Sequence, residues 1–204
     1  NYKHAWLEIY DKPIIYFPKF FHPDPTVKRQ SGFLMPQVID SSSLGLSFKL
    51  PYYKVISDNK DLTFTPRIFS ENEALFQNEY RQVNKNSKHI IDFSLKEKNS
   101  TSKTHFFSNS LAKLNMDIFD ISEIELNLET TSNQDYLKTH NIKSEINNNQ
   151  SLLKSFLTFR GSSRDMDLET KIEAYENLTV EESSDKYEYI FPSYKFSKRL
   201  PSNF

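Results

Sequence analysis

The chain of 204 residues contains no cysteine. Disulfides, thiolate metal sites, iron–sulfur clusters and cysteine nucleophiles are therefore excluded from it, and the redox state of its compartment leaves no mark. Glycine is nearly as scarce: the 3 residues Gly32, Gly45 and Gly161 are too scattered for a phosphate-cradling loop or a Gly-x-Ser-x-Gly elbow. Charge of one sign is missing too. With 26 Lys and Arg against 27 acids, a formal net charge of -1, whole-chain electrostatics give no reason to expect a nucleic-acid partner. No apolar run reaches the roughly 18 residues of a membrane-spanning helix. Transmembrane β-strands need only about 9 to 11 residues of alternating polarity, and a mean hydropathy of -0.65 accommodates them.

What the chain does have is rings, 17 Phe and 11 Tyr with a single Trp, a composition that suits strands. The apolar residues fall on every second position. Leu44, Leu46, Phe48, Leu50 and Tyr52 alternate with Gly45, Ser47, Lys49 and Pro51; Ile124, Leu126 and Leu128 alternate with Glu125, Asn127 and Glu129; Leu168, Ile172 and Ala174 alternate with Glu169, Lys171 and Glu173. Alternation of this kind makes one face of a strand apolar and the other polar. Rougher versions predict strands over 61–69, 75–83, 89–96, 104–116, 151–161 and 187–197, so the chain reads as all-β. Connectors at 57–60, 84–88, 117–120 and 162–165 are short, whereas those at 98–103, 132–150 and 177–186 are longer and polar. Short turns at one end and long loops at the other describe an up-and-down barrel of the outer-membrane type, with the short Glu71-Asn72-Glu73 connection as an exception.

Before Ser31 the organisation changes. His4–Tyr10 and Pro13–Pro18 predict two short strands, and the run KFFHPDPTVKRQ follows; Pro18 just before it and Pro23 and Pro25 within it argue against regular structure there. This places a boundary between a first domain, 1–30, and a second, 31–204, of about ten meandering strands. A chain that starts at Asn1 without an initiator Met and stops just after a predicted strand reads as a piece of a longer protein. His4, His22, His89, His105 and His140 show no metal-ligand spacing, and Asp165 with Asp167 and Glu181 with Glu182 read as solvated charge. No catalytic residue, metal or cofactor is expected, and the chain is not read as an enzyme. Tyr52-Tyr53, Phe106-Phe107 and Tyr187, Tyr189 and Phe191 suit either an interfacial aromatic girdle or ordinary sheet packing.

The stretch SGFLMPQVIDSSSLGLSFKLPYY, 31–53, reads as a hairpin with a proline in each strand, Pro36 and Pro51. Proline has no N–H for a ladder, so both weaken the pairing. A turn through Ser41–Ser43 sets Pro36 opposite roughly residue 47. Taken alone, such prolines also fit an edge that deters wrong pairing.

PIIYFPKFFHPDPTVKRQSGFLMP, followed by LPYYKVISDNKDLTFTPRIF and NEYRQV, resembles the LptD family of lipopolysaccharide-assembly proteins, and NQDYLKTHNI and SDKYEYIFPSYKFSK extend the resemblance along the chain. It departs after TPRIF, where many members carry Arg-Gly and this chain has Ser70-Glu71-Asn72-Glu73. The resemblance implies the end of a periplasmic β-jellyroll leading into the first ten or so antiparallel strands of a large outer-membrane β-barrel. It implies translocation of lipopolysaccharide into the outer leaflet of the Gram-negative outer membrane, through the lumen and a lateral gate at which Pro36 and Pro51 weaken the first two barrel strands. The implied partners are lipopolysaccharide, the LptE lipoprotein plug, a periplasmic LptA bridge reached through the jellyroll, and outer-membrane lipid. A passive porin-like channel and a soluble carbohydrate-binding β-sandwich are the competing readings.

Overall fold

The computed structural model describes residues 2–9, 12–20, 29–41, 44–70, 73–98, 101–181 and 183–200. Residues 21–28, with His22, Pro23 and Pro25, lie outside the described residues, as do Glu71-Asn72 of the exceptional connection and Glu182. The chain divides into two compact units, Asn1–Ser31 and Gly32–Phe204.

The first unit is a two-stranded antiparallel ribbon of β1 (Tyr2–Ile9) and β2 (Lys12–Phe20). Trp6 and Tyr16 are paired across it, with ring centroids 4.9 Å apart. Pro18 does not end β2, contrary to the expectation for the proline-rich run. It falls between the Ala5↔Phe17 and Lys3↔Lys19 pairs, opposite His4, whose φ of 60° breaks the ladder at the same level. In a two-stranded ribbon every strand has a free edge, and a proline is tolerated there.

The second unit is one sheet of 12 strands. These are β3 (Gly32–Phe33), β4 (Gln37–Ser41), β5 (Gly45–Lys49), β6 (Tyr52–Ser57), β7 (Lys60–Phe69), β8 (Ala74–Val83), β9 (Ser87–Lys98), β10 (Thr101–Leu114), β11 (Ile121–Thr131), β12 (Leu152–Ser162), β13 (Met166–Asn177) and β14 (Tyr187–Lys198). From β7 to β14 each strand pairs antiparallel with the next in sequence. Both β5 and β6 pair with the same edge of β7, β3 pairs with β6, and β4 with β5. Two lanes of the meander are thus split in half, and 12 strands less 2 fill ten lanes. Gly45, at φ 66°, opens β5 after the first turn, a backbone conformation that suits glycine. At the short-turn end the Asn59 amide donates to Asn84 Oδ1 at 2.9 Å, tying neighbouring turns together.

Among the described residues two short helices, α1 (Tyr136–His140) and α2 (Ser183–Lys186), lie in the long connections. Among the described residues no helix is long and apolar enough to cross a membrane. The apolar core sits at the long-loop end, where Tyr136, Leu137 and Ile142 of the β11–β12 connection pack with Phe69, Leu75, Phe107 and Leu153 of the strands and Leu178 just after β13.

Candidate functional site

The two faces of the sheet are inverted relative to a water-soluble domain. Phe64, Ile68, Phe76, Phe93, Leu95, Phe106, Leu126, Leu128, Leu157 and Ile172 are exposed, while Asp61, Thr65, Arg67, Asp92, Ser94, Lys96, His105, Asn127, Glu129 and Thr158 are buried. Cross-strand partners share a face, so pairs such as Thr65↔Gln77, Glu79↔Asp92, Ser94↔His105 and Glu125↔Thr158 make the polar wall continuous. Its charges are largely paired. Arg81 meets Asp61 at 2.8 Å, Lys96 meets Glu73 at 2.5 Å, Glu173 takes both Lys154 and Lys171 at 2.9 Å, and Arg160 bridges Glu123, Glu125 and Glu169. A soluble sheet covers its apolar face; this one covers its polar face. The aromatic clusters divide accordingly: Phe106 points outward and Phe107 into the core.

The cover over the long-loop end is the β11–β12 connection, 132–151. Composition makes it a solvated loop, rich in Asn and Ser; instead it folds against the wall, whose polar groups offer it hydrogen-bond partners. Tyr136 is fully buried, and its phenol shares a 2.6 Å hydrogen bond with Ser94 Oγ. From Ser94 the network runs to His105 Nδ1 at 2.6 Å, and from His105 Nε2 to Asp92 at 3.2 Å. Gln77 donates to Asp92 and to the Lys143 carbonyl, and Arg67 donates to the His140 carbonyl at 2.7 Å. The far end of the loop is held by Glu129, which accepts from Asn147 at 2.5 Å and from the Lys154 backbone at 3.0 Å. Burial pushes the Tyr136 phenol up to about 12, against the opposing effect of its bond to Ser94. The His140 imidazole is pushed down by burial and by the Lys96, Lys103 and Arg67 charges, although its bond to the Tyr136 carbonyl acts the other way.

Ser94, His105 and Asp92 are linked like the triad of a serine hydrolase, but all three are 1% exposed or less and Ser94 Oγ is engaged by Tyr136. The loop closes over that hydroxyl, and the chain of groups ties the loop to the wall. The sequence treats His105 as one of five scattered histidines; only the β9–β10 register brings it opposite Ser94. Among the described residues no cluster of His, Asp and Glu is arranged to hold a metal ion.

Pro36 and Pro51 both lie in the gaps that split the first two lanes. Between Phe33↔Tyr52 and Gln37↔Lys49 the first lane uses three residues, Leu34, Met35 and Pro36, where the second uses two, Leu50 and Pro51. This is a bulge with one extra residue. Ser42 and Ser43 of the expected turn lie outside the described residues, but the Gln37↔Lys49 to Ser41↔Gly45 pairs set Pro36 level with Leu50, not with residue 47. Leu34 N–H donates to the Pro51 carbonyl at 2.8 Å, and Pro51 has no N–H to return. Leu50 N–H donates to the Pro66 carbonyl at 3.1 Å, and Pro66 has none to return either. Pro66 is a third member of this defect, overlooked in the sequence because it sits in the otherwise regular alternation of TFTPRIF. Each missing reciprocal bond forgoes about 0.5–1.5 kcal/mol of ladder stabilisation.

A meander of ten lanes with an apolar exposed face, a polar covered face and a loop inserted against the polar side is the wall of a membrane β-barrel. The sequence profile of the family described as "LptD protein" matches residues 2–198, and the chain belongs to that family. It is similar to the LPS-assembly protein LptD of Pseudoalteromonas atlantica, 33% identical over 103 residues, which are 50% of this chain and 13% of that protein. Similar matches are to LPS-assembly protein LptD from Idiomarina loihiensis, 37% identical over 80 residues, and from Chromobacterium violaceum, 40% identical over 79, each covering 39% of this chain and 10% of the relative. The aligned segments therefore span about a tenth of the length of these curated relatives.

Proposed function

We propose that this chain forms the opening part of an outer-membrane barrel that assembles lipopolysaccharide into the outer leaflet. Residues 1–30 belong to the end of a periplasmic jellyroll that delivers the lipid from an LptA bridge, and 31–204 to the barrel whose lumen takes an LptE plug. No catalytic step or cofactor is involved. The observation that carries the reading is the inverted sheet, in a family whose relatives are named for lipopolysaccharide assembly. Dragging sugars and phosphates through hydrocarbon costs far more than opening a few backbone hydrogen bonds. A polar wall next to a weak seam answers that problem, since the headgroup stays wet while the acyl chains leave sideways.

In this reading Pro36 and Pro51 weaken the lateral gate, with Pro66 extending the weakness into the third lane. Replacing Pro36 and Pro51 by Ala in the full-length protein is expected to tighten the first two lanes, lower lipopolysaccharide delivery to the cell surface, and raise disulfide trapping between cysteines placed across the seam. Delivery and trapping both unchanged would overturn the gate role.

A further inference from the structure

Arg67 is only 7% exposed and has no carboxylate within ion-pair distance among the described residues. Its guanidinium stacks over Phe69, 4.7 Å from the ring centroid, and makes two hydrogen bonds, Nε to Ser47 Oγ at 3.0 Å and Nη1 to the His140 carbonyl. Three of its five N–H donors have no partner among the described residues. Directly opposite it in the β5–β7 pairing, on the same face, stands Lys49, also without an ion pair among the described residues. Like charges placed opposite each other destabilise a sheet; Lys96, which stands opposite Lys103, has Glu73 as its counter-ion at 2.5 Å, whereas neither Lys49 nor Arg67 has one among the described residues. Lys143, on the inserted loop, adds a third positive charge within electrostatic reach of Lys49; the opposing acid, Asp92, is already held by Gln77 and His105.

We propose that Lys49 and Arg67, joined by Lys143, form a binding site for a phosphate group on the inner wall beside the split hairpin. Resting on the reading that lipopolysaccharide crosses this wall, the site takes a phosphate of the lipid's sugar headgroup. The Arg fork offers bidentate donors and the lysines point charges, the combination that phosphate recognition uses. The position is also suitable: Gln37, in the first lane, is paired with Lys49, so a bound headgroup lies beside the seam through which its acyl chains would leave.

The test uses the full-length protein in detergent with a photo-crosslinking amino acid at Gln37, which is outside the proposed site. The probes are lipopolysaccharide and the same lipopolysaccharide stripped of its phosphates. Crosslinking is expected to fall about tenfold or more for the stripped lipid, and to a similar extent for the intact lipid when Lys49→Gln or Arg67→Gln is introduced. Because the stripped lipid is tested on the unmutated protein, a variant that folds poorly does not compromise the result. Inorganic phosphate, titrated against the protein by 31P NMR, separates the sources: line broadening that Arg67→Gln abolishes, with crosslinking indifferent to the lipid's phosphates, assigns the site to free phosphate. Equal crosslinking of both lipids together with no phosphate broadening overturns the site while leaving lipopolysaccharide transport intact. Failure of either lipid to crosslink at any inner-wall position would instead remove the transport reading itself.

Discussion

A Cβ built on Gly161 stands 2.8 Å from three atoms of the Phe119 ring. The ring comes from the short β10–β11 turn and also meets Phe159 edge-on at 5.9 Å, so it closes the short-turn end of the sheet over a position that only a hydrogen fits. Gly161→Ala should displace Phe119 and cost on the order of 1–3 kcal/mol, the range for overpacking. In the full-length protein, denaturant unfolding in micelles checks this; adding Phe119→Ala should recover part of the loss of the glycine variant by removing the clash. Neither residue stands out in the sequence, where Gly161 is one of three glycines and Phe119 lies in a polar turn. Their relation depends on the pairing of β11 with β12, which brings Gly161 opposite Ser122. By contrast, the alternation of Leu44 to Tyr52 and of Ile124 to Glu129 is legible at once, because neighbours on one face need no partner strand to be recognised.

At the level of elements, the strands could be read and the inserted loop could not. Strand bounds expected over 61–69, 75–83 and 187–197 fall within a residue of β7, β8 and β14. The 132–151 connection carries only a thin apolar signature, Tyr136, Leu137, Ile142 and Ile146, since most of its grip is hydrogen bonding to a polar wall. The split of the first two lanes escaped for a related reason: prolines announce a defect, but the register that aligns Pro36, Pro51 and Pro66 follows from the bulge, which is not coded locally. The loop's attachment should depend on pH. His140 is 2% exposed, its Nε2 has no hydrogen-bond partner among the described residues, and its folded pKa lies below the ordinary 6.5. A histidine depressed in the folded state contributes stability above its unfolded value and loses it as pH falls through the folded one. A nitroxide on exposed Thr139 in the full-length protein should therefore be immobile at pH 7 and gain mobility below about 6.5, and His140→Gln should flatten that change. Mobility independent of pH in the unmutated protein would show that His140 does not govern the loop.

For the whole molecule, the inversion of the two faces decides which solvent the fold is built for. The exposed rings and leucines are not isolated: Phe64 and Phe76 stack 6.1 Å apart on neighbouring lanes, and exposed Phe93, Leu95, Phe106, Leu126, Leu128, Leu157 and Ile172 continue the same side across β9 to β13. A water-soluble protein keeps contiguous apolar patches to a few hundred Å², whereas a barrel wall in lipid requires such a band. The two environments predict opposite mutational costs. Phe93 and Leu126 lie near the middle of β9 and β11, 41% and 37% exposed. In water, an Arg at positions this accessible changes stability by about 0.5 kcal/mol or less. At the midplane of a bilayer it costs about 2–4 kcal/mol. Phe93→Arg and Leu126→Arg in the full-length protein should therefore sharply reduce the amount of folded, heat-modifiable barrel in the membrane fraction, while Glu125→Gln, next to Leu126 on the opposite face, should leave it nearly unchanged. Tolerance of both arginines would mean that the apolar face meets something other than lipid.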